Sequence, residues 1–342
     1  MKLSRIGIIY LALGAGLALS LIAEMRAPRA VGAGKPARSV SEYRVYRAVA
    51  ATSDHVTRRL VVLRRFRLDG VDAVFTVDPA TLRTEIRPAA GLTIDAVPAD
   101  KISERFAETP YVKALRDSES NASVLQDAGI TRFSSAQHGV DLTIDLCPSE
   151  LPLDRILFSE LIKDLGAMEK PVPLAVAVTG IWMDRHAGDL DWLVGLERSG
   201  AISVAWVNHT FNHRTARNLP LKENFLLEKG TDIDAEVLKT EIRMIERGLT
   251  PSVFFRFPGL VSDKSLVAAI TETYGLVPVG SDAWLAKNQR PGAGSIVLVH
   301  ANGNEPLGIR RFLSLLRDKK AEIAGRRWLL YDLRESAVEL EK

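Results

Sequence analysis

The chain has 342 residues, 46% of them apolar and 25% charged, so it can bury a sizeable core and is not a disordered polymer. Its formal charge of +3 is too small to argue for nucleic acid as a partner. A single cysteine, Cys147, excludes an internal disulfide and leaves the compartment open.

Lys2 and Arg5 precede an apolar run from Ile6 to Ala23. A helix over this run, at about 1.5 Å per residue, crosses most of a bilayer core of about 30 Å. The run exceeds the apolar core of about 7–15 residues usual in a cleaved signal peptide. Glu24, Met25 and Arg26 follow it where a small-x-small cleavage site would lie. The reading favours an uncleaved helix in the cytoplasmic (inner) membrane, with the body periplasmic or otherwise extracytoplasmic; a cleaved signal is the alternative. Residues 24 to 40 are rich in Ala, Gly and Pro and read as a linker, so 1–40 is set apart as anchor or signal segment plus linker. Between Glu24 and Gly70 there are 11 Lys or Arg against 4 Asp or Glu, densest at Arg58, Arg59, Arg64, Arg65 and Arg67. A solvated strand face explains this cluster, and contact with anionic lipid or an acidic polymer is the sharper alternative.

Residues 41–135 read as a small α+β accessory region. Leu60 to Leu68 alternates, with Leu60, Val62, Phe66 and Leu68 on one face, and Val71 to Val77 alternates with Val71, Ala73, Phe75 and Val77 together. Asp69-Gly70 between them is a strong hairpin signal. Short helices are expected at 99–109 and 111–117. No motif here carries chemistry, and His55 and His138 are isolated and read as structural or solvated.

From Gly139 the pattern changes to alternating strands and helices, and 136–342 reads as one domain. Strands are expected at 140–146, 173–180, 202–207, 252–256, 276–280 and 296–300. Helices are expected at 154–168, 190–199, 233–248, 264–274 and 307–324. Repeated βα units with apolar strands imply a mainly parallel sheet covered by helices. Active residues in such folds lie at the carboxyl ends of strands. Asp145, His209, Arg256, Asp282 and His300 all fall at or just past expected strand ends. Together they make a plausible hydrolytic set: a carboxylate base, imidazoles for a divalent metal, and an imidazole acid. His209 and His213 reach one point if the backbone turns helically between them, and neutral imidazoles suit zinc. Thr210 follows His209 where a metalloprotease helix carries Glu, which excludes that class.

These residues resemble the polysaccharide deacetylases, the NodB-like carbohydrate esterases. Thr143-Ile144-Asp145-Leu146-Cys147-Pro148 stands where that family has Thr-Phe-Asp-Asp-Gly-Pro. His209-Thr210-Phe211-Asn212-His213 resembles its His-Ser/Thr-x-x-His metal motif, and Arg256-Phe257-Pro258-Gly259 its Arg-x-Pro motif. Asp282-Ala283-Trp284 is similar to Asp-x-Trp, and Leu298-Val299-His300 to Leu-x-His; Val178-Thr179-Gly180 fits the second strand. The resemblance covers about 200 residues and says nothing of 1–135.

The resemblance implies a distorted (β/α) barrel, preceded by the small α+β region and the N-terminal apolar helix. It implies metal-dependent removal of acetyl groups from an acetylated polysaccharide. Asp145 would be the base, His209 and His213 the ligands of a divalent metal, most simply Zn, and His300 the acid, oriented by Asp282. Arg256 would pair with Asp145, while Trp284, Leu298 and Pro258 would contact substrate. Leu146 stands where the family has a carboxylate ligand, and Cys147 replaces its Gly. Either two imidazoles and water hold the metal or another side chain steps in: Glu150 first, Asp141 less readily because it lies far back along the strand, and Cys147 as a soft ligand or else an apolar packing residue. A deacetylase-like domain that binds glycan without turnover is the alternative that Leu146 favours.

Overall fold

The computed structural model describes residues 38–52, 59–134 and 138–339. The apolar run Ile6–Ala23, the linker up to residue 37, His55 and Arg58 lie outside the described residues. Among the described residues no helix is long and apolar enough to cross a membrane.

The first strands form an antiparallel sheet. They are β1 (Val40–Thr52), β2 (Arg59–Leu68), β3 (Val71–Val77), β4 (Thr84–Pro88) and β5 (Leu92–Ala96), in the order β4-β3-β2-β1-β5. Asp69 and Gly70 both take positive φ, 51° and 79°, as the tight hairpin requires. The expected alternation in β2 holds only in part. A register shift between Val62 and Arg64 reverses which residues face which side. Leu60 and Val62 pack with Ala48 and Val74, while Val61, Leu63 and Phe66 pack on the opposite face with Phe75 and Val77. Val62 and Phe66 therefore do not share a face.

The shift also turns Arg64 inward, where it is 0% exposed. Its Nε and Nη2 donate to the two carboxylate oxygens of Glu241 at 2.7 and 2.8 Å, and Nη1 donates to the Tyr274 carbonyl at 2.8 Å. Tyr43 donates to the same carboxylate at 2.9 Å. The basic cluster is thus no single face: Arg65 pairs with Asp72, and Arg67 donates to the Gly70 carbonyl.

Helices α1 (Ala99–Arg105) and α2 (Pro110–Glu119) follow. The second half then runs β6 (Gly139–Leu146), α3 (Arg155–Leu165), β7 (Val172–Val178), α4 (Gly180–Arg185), α5 (Ala187–Arg198), β8 (Ile202–Asn208), α6 (Ile233–Glu246), β9 (Pro251–Phe255), α7 (Lys264–Ala268), β10 (Val277–Pro278), β11 (Ala283–Trp284), β12 (Ser295–His300), α8 (Pro306–Asp318), α9 (Lys320–Ala324), β13 (Leu329–Leu330) and α10 (Leu333–Glu339). Asp154, Asp232 and Asp263 cap α3, α6 and α7 through their side chains. The helix expected over 264–274 is α7 plus a π-helical turn, Ala269–Tyr274, ended by left-handed Gly275.

The sheet order is β10-β9-β8-β7-β6-β12-β11, every pairing parallel, with β13 beside the start of β6. It curls as an open, distorted barrel. Period-2 alternation divides its side chains. Ile144, Leu146, Val176, Val178, Val204 and Val299 face the helices α3, α5 and α8. Ala175, Ala177, Ala205 and Val207 face the other way and share a core with Val61, Phe66 and Phe75 of the antiparallel sheet. The small alanines let the two sheets approach. The connector is stitched to both arms of the opening: Ile130 bridges Val279, and Arg132 bridges Ser295. The change of pattern at Gly139 therefore separates two sheets that share one core, and Ala37–Lys342 is one compact unit.

Removing one partner of a buried ion pair leaves an uncompensated charge, which costs about 3–5 kcal/mol. Arg64→Met and Glu241→Leu should each lower stability by that amount in chemical denaturation, and the double variant should recover most of it. Additive losses in the double variant would show that the pair is not what couples the two sheets.

Candidate active site

Asp145 is the penultimate residue of β6, His209 follows β8, Arg256 follows β9 and His300 ends β12. All four therefore sit at one rim of the parallel sheet. Asp145, Cys147, His209, His213 and His300 line one cleft of about 260 Å³ with Trp284, Leu298 and Glu305.

The backbone between His209 and His213 is a bend and not the helical turn expected. Thr210 and His213 take positive φ, 68° and 46°, rare for residues with a Cβ and a local strain that the surroundings must hold. The Asn208 side chain accepts from the Thr210 amide at 3.0 Å, and Glu236 of α6 accepts from the Asn212 amide and side chain at 2.8 and 2.7 Å. Two glycines make room. A Cβ on Gly180 would lie 2.1 Å from the Phe211 ring, and one on Gly259 would lie 2.5 Å from the Phe225 ring. The two imidazoles then meet with ring centroids 4.8 Å apart.

Ligand atoms of Cys147, His209 and His213 all lie within 4.8 Å of one another. Cys147 Sγ is 3.5 Å from His209 Nε2, and Asp145 Oδ2 is 3.6 Å from the same nitrogen. His209 Nδ1 lies 2.9 Å from the Arg256 carbonyl, which can only accept. The proton therefore sits on Nδ1, and the lone pair of Nε2 faces the cleft. Burial lowers the His209 pKa and keeps the ring neutral, as a ligand must be. Both ring nitrogens of His213 are buried without a hydrogen-bond partner in the protein. Burial alone would push the Cys147 thiol up, but His213 and His300 outweigh it and bring it down to about 7. One sulfur and two imidazoles, with the two nitrogens of His213 left without a partner, are a donor set that fits a divalent zinc-like ion.

The period-2 pattern decides the first motif. Leu146 is fully buried among Ile144, Val178 and Leu157, away from the cleft, so it does not occupy a ligand's place. Cys147, one residue on, lies in the cleft beside the two imidazoles. Glu150 is exposed and paired with Arg185 at 2.5 Å, and Asp141 is buried at the far end of β6, where Ser336 donates to it at 2.8 Å. Neither reaches the imidazoles.

Arg256 is fully buried; its Nη2 donates to Thr143 Oγ1 at 2.9 Å, and its Nη1 lies 3.8 Å from Asp145 Oδ1. Trp284 and Leu298 pack together with Leu260. Pro258 is buried behind the cleft, and its neighbours Gly259 and Leu260 form the wall instead. Asp282 is not His300's partner as expected. It pairs with Arg132 at 2.6 Å, outside the cleft lining. His300 Nδ1 stands instead 2.9 Å from Glu305 Oε2, at ion-pair range but poorly angled for a hydrogen bond. Burial disfavours the His300 cation, but Cys147, Glu305 and Asp145 outweigh this and hold its pKa well above the ordinary value. Glu305, Asn304, Leu260 and Phe225 were not singled out from the sequence. Only Glu305 left a signal there, an acid five residues after His300.

No family model matches the sequence. Among solved structures, the chain is similar to a family 4 carbohydrate esterase from Bacillus anthracis, at 17% identity over 68% of this chain and 92% of the other, TM-score 0.44. It is similar to a CE4 family pseudoenzyme, also from Bacillus anthracis, at 16% identity over 62% and 70% of the two chains, TM-score 0.42. A family 4 carbohydrate esterase from Streptomyces lividans in complex with acetate matches at 20% identity over 56% and 91%, TM-score 0.38.

If Cys147 is a ligand, cobalt(II) bound to the protein should show a near-ultraviolet thiolate charge-transfer band that Cys147→Ala abolishes. Leu146→Asp should leave cobalt affinity unchanged and lower stability by several kcal/mol, since it places a lone carboxylate in an apolar core. Tighter cobalt binding by Leu146→Asp would show that residue 146 faces the metal after all.

Proposed function

We propose that the chain is a metal-dependent hydrolase that removes acetyl groups from a carbohydrate polymer. The observation that carries this is the convergence of Cys147, His209 and His213 in the cleft that also holds Asp145 and His300. Cys147, His209 and His213 would hold the metal, and a divalent ion there would polarise the acetyl carbonyl and acidify a water.

The chain's own groups supply the rest. Asp145, with Oδ1 3.8 Å from the Arg256 guanidinium, takes a proton from the attacking water. His300 returns a proton to the departing sugar nitrogen or oxygen. Trp284, Leu298 and Leu260 form an apolar wall suited to the acetyl methyl group. In this reading the Cys147 sulfur takes the place of the carboxylate ligand that Leu146 lacks, which supports turnover over a domain that only binds.

Loss of the base should lower acetate release from acetylated oligosaccharides by about 10²–10⁴-fold in Asp145→Asn. Metal content should stay at the natural level. If Asp145→Asn loses its metal as well, Asp145 is a ligand and the base lies elsewhere. If the natural protein releases no acetate from any acetylated glycan while binding metal, the hydrolase reading fails.

Location belongs to the same proposal. The apolar run Ile6–Ala23 supports tethering to the cytoplasmic membrane with the body outside it. The full chain should resist carbonate extraction from membranes and be digested by protease added to spheroplasts. Recovery in the soluble cytoplasmic fraction would contradict it.

A further inference from the structure

The acid needs a partner, and the residue that the motif order offers is committed elsewhere. Asp282 Oδ2 accepts from Arg132 Nε at 2.6 Å, and Arg132 also donates to the Ala293 carbonyl at 2.8 Å. We propose that Glu305 is the positioning residue of His300, in the role that the motif resemblance gives to Asp282. This deepens the hydrolase reading and rests on it.

Glu305 is held by a built loop. His300 ends β12, and Pro306 opens α8, so residues 301–305 join a strand to a helix whose start is fixed by proline. Within the loop, Asn302 Nδ2 donates to the Cys147 carbonyl at 2.7 Å, and the Asn304 amide donates to Asn302 Oδ1 at 3.3 Å. The loop that delivers Glu305 is thereby tied to the backbone of Cys147.

Its carboxylate then serves two rings. Glu305 Oε2 accepts from Trp284 Nε1 at 2.7 Å and lies 2.9 Å from His300 Nδ1. The Trp284 and His300 rings are 5.8 Å apart and inclined by 34°, and Lys287 Nζ sits 3.6 Å from the Trp284 ring centre. With Nδ1 turned to the Glu305 carboxylate at ion-pair range, Nε2 is the ring nitrogen left for the cleft. A carboxylate behind an imidazole fixes the orientation of the ring and so aims its other nitrogen at a leaving group. The same oxygen fixes the tryptophan of the acetyl wall, so acid and wall share one anchor.

The role shows in the leaving group. A sugar amine or alkoxide departs only with a proton, whereas nitrophenolate departs without one. Glu305→Gln keeps the shape and an oxygen acceptor for Trp284 but loses the charge. It should lower kcat for acetate release from an acetylated oligosaccharide by about 10- to 100-fold with KM unchanged. Hydrolysis of 4-nitrophenyl acetate should fall far less, and Glu305→Asp should restore part of the glycan activity. In protein with ¹⁵N-labelled histidine, the natural chain should show a downfield Nδ1–H proton that Glu305→Gln removes. Equal losses on both substrates, no loss on the glycan, or absence of that proton from the natural protein would overturn the assignment. A glycan-selective loss in Asp282→Asn instead would return the role to Asp282. A natural protein that hydrolyses neither substrate, with the Nδ1–H proton present, would mean that the hydrolase reading has failed while the His300–Glu305 pairing stands.

Discussion

The site depends on the alternation of one strand. Along β6, Leu142, Ile144 and Leu146 face the helices, and Thr143 and Asp145 face the interior of the curl. The same parity delivers Cys147 to the cleft just past the strand. A strand buried on both faces leaves no freedom in this assignment, because a slip by one residue would place Asp145 in the apolar layer and Leu146 among polar groups. Thr143 accepts from Arg256, Asp145 lies beside Arg256 and His209, and Cys147 lies beside the two imidazoles. One face of one strand thus holds the hydroxyl, the carboxylate and the sulfur around which the other strands bring their residues.

The antiparallel sheet is part of that arrangement. It lies over the inner face of β7 and β8, where alanines at 175, 177 and 205 leave room for its own apolar residues. Arg64 reaches across to Glu241 of α6, and Glu236 of the same helix holds the Asn212 bend between the two imidazoles. The small sheet is therefore linked through a single helix to the loop that carries the two imidazoles. A contribution to stability, and through α6 to the geometry of the site, follows from that placement without any chemistry of its own.

Much of this was legible in the sequence. The βα repeat gave most strands of the parallel sheet to within a few residues, because buried parallel strands read as short apolar runs. The rim residues could be named because βα folds expose strand ends, and five motifs stood in order. What failed did so for physical reasons. The bulge in β2 broke an alternation that looked continuous, and Arg64 went inside because Glu241, 177 residues away, was there to meet it. Two-residue strands such as β10, β11 and β13 carry no periodicity to read. The turn between His209 and His213 depends on glycines that admit Phe211 and Phe225, which spacing alone does not reveal. Asp282 was given to His300 by motif order, but Arg132 in the connector is closer to it, and a local loop supplied Glu305 instead. Motif order sets Leu146 in a ligand's position, whereas the alternation of the strand turns it into the helix-side core and brings Cys147 to the cleft.

The central claim is that a sulfur and two imidazoles hold one metal beside Asp145. X-ray absorption at the zinc edge of the zinc-loaded protein tests it most directly. Zinc–sulfur and zinc–nitrogen distances differ, at about 2.3 Å and 2.0–2.1 Å, so the two shells separate. The account predicts one sulfur scatterer together with a shell containing two imidazoles. A first shell of nitrogen and oxygen alone would contradict it and remove Cys147 from the metal centre.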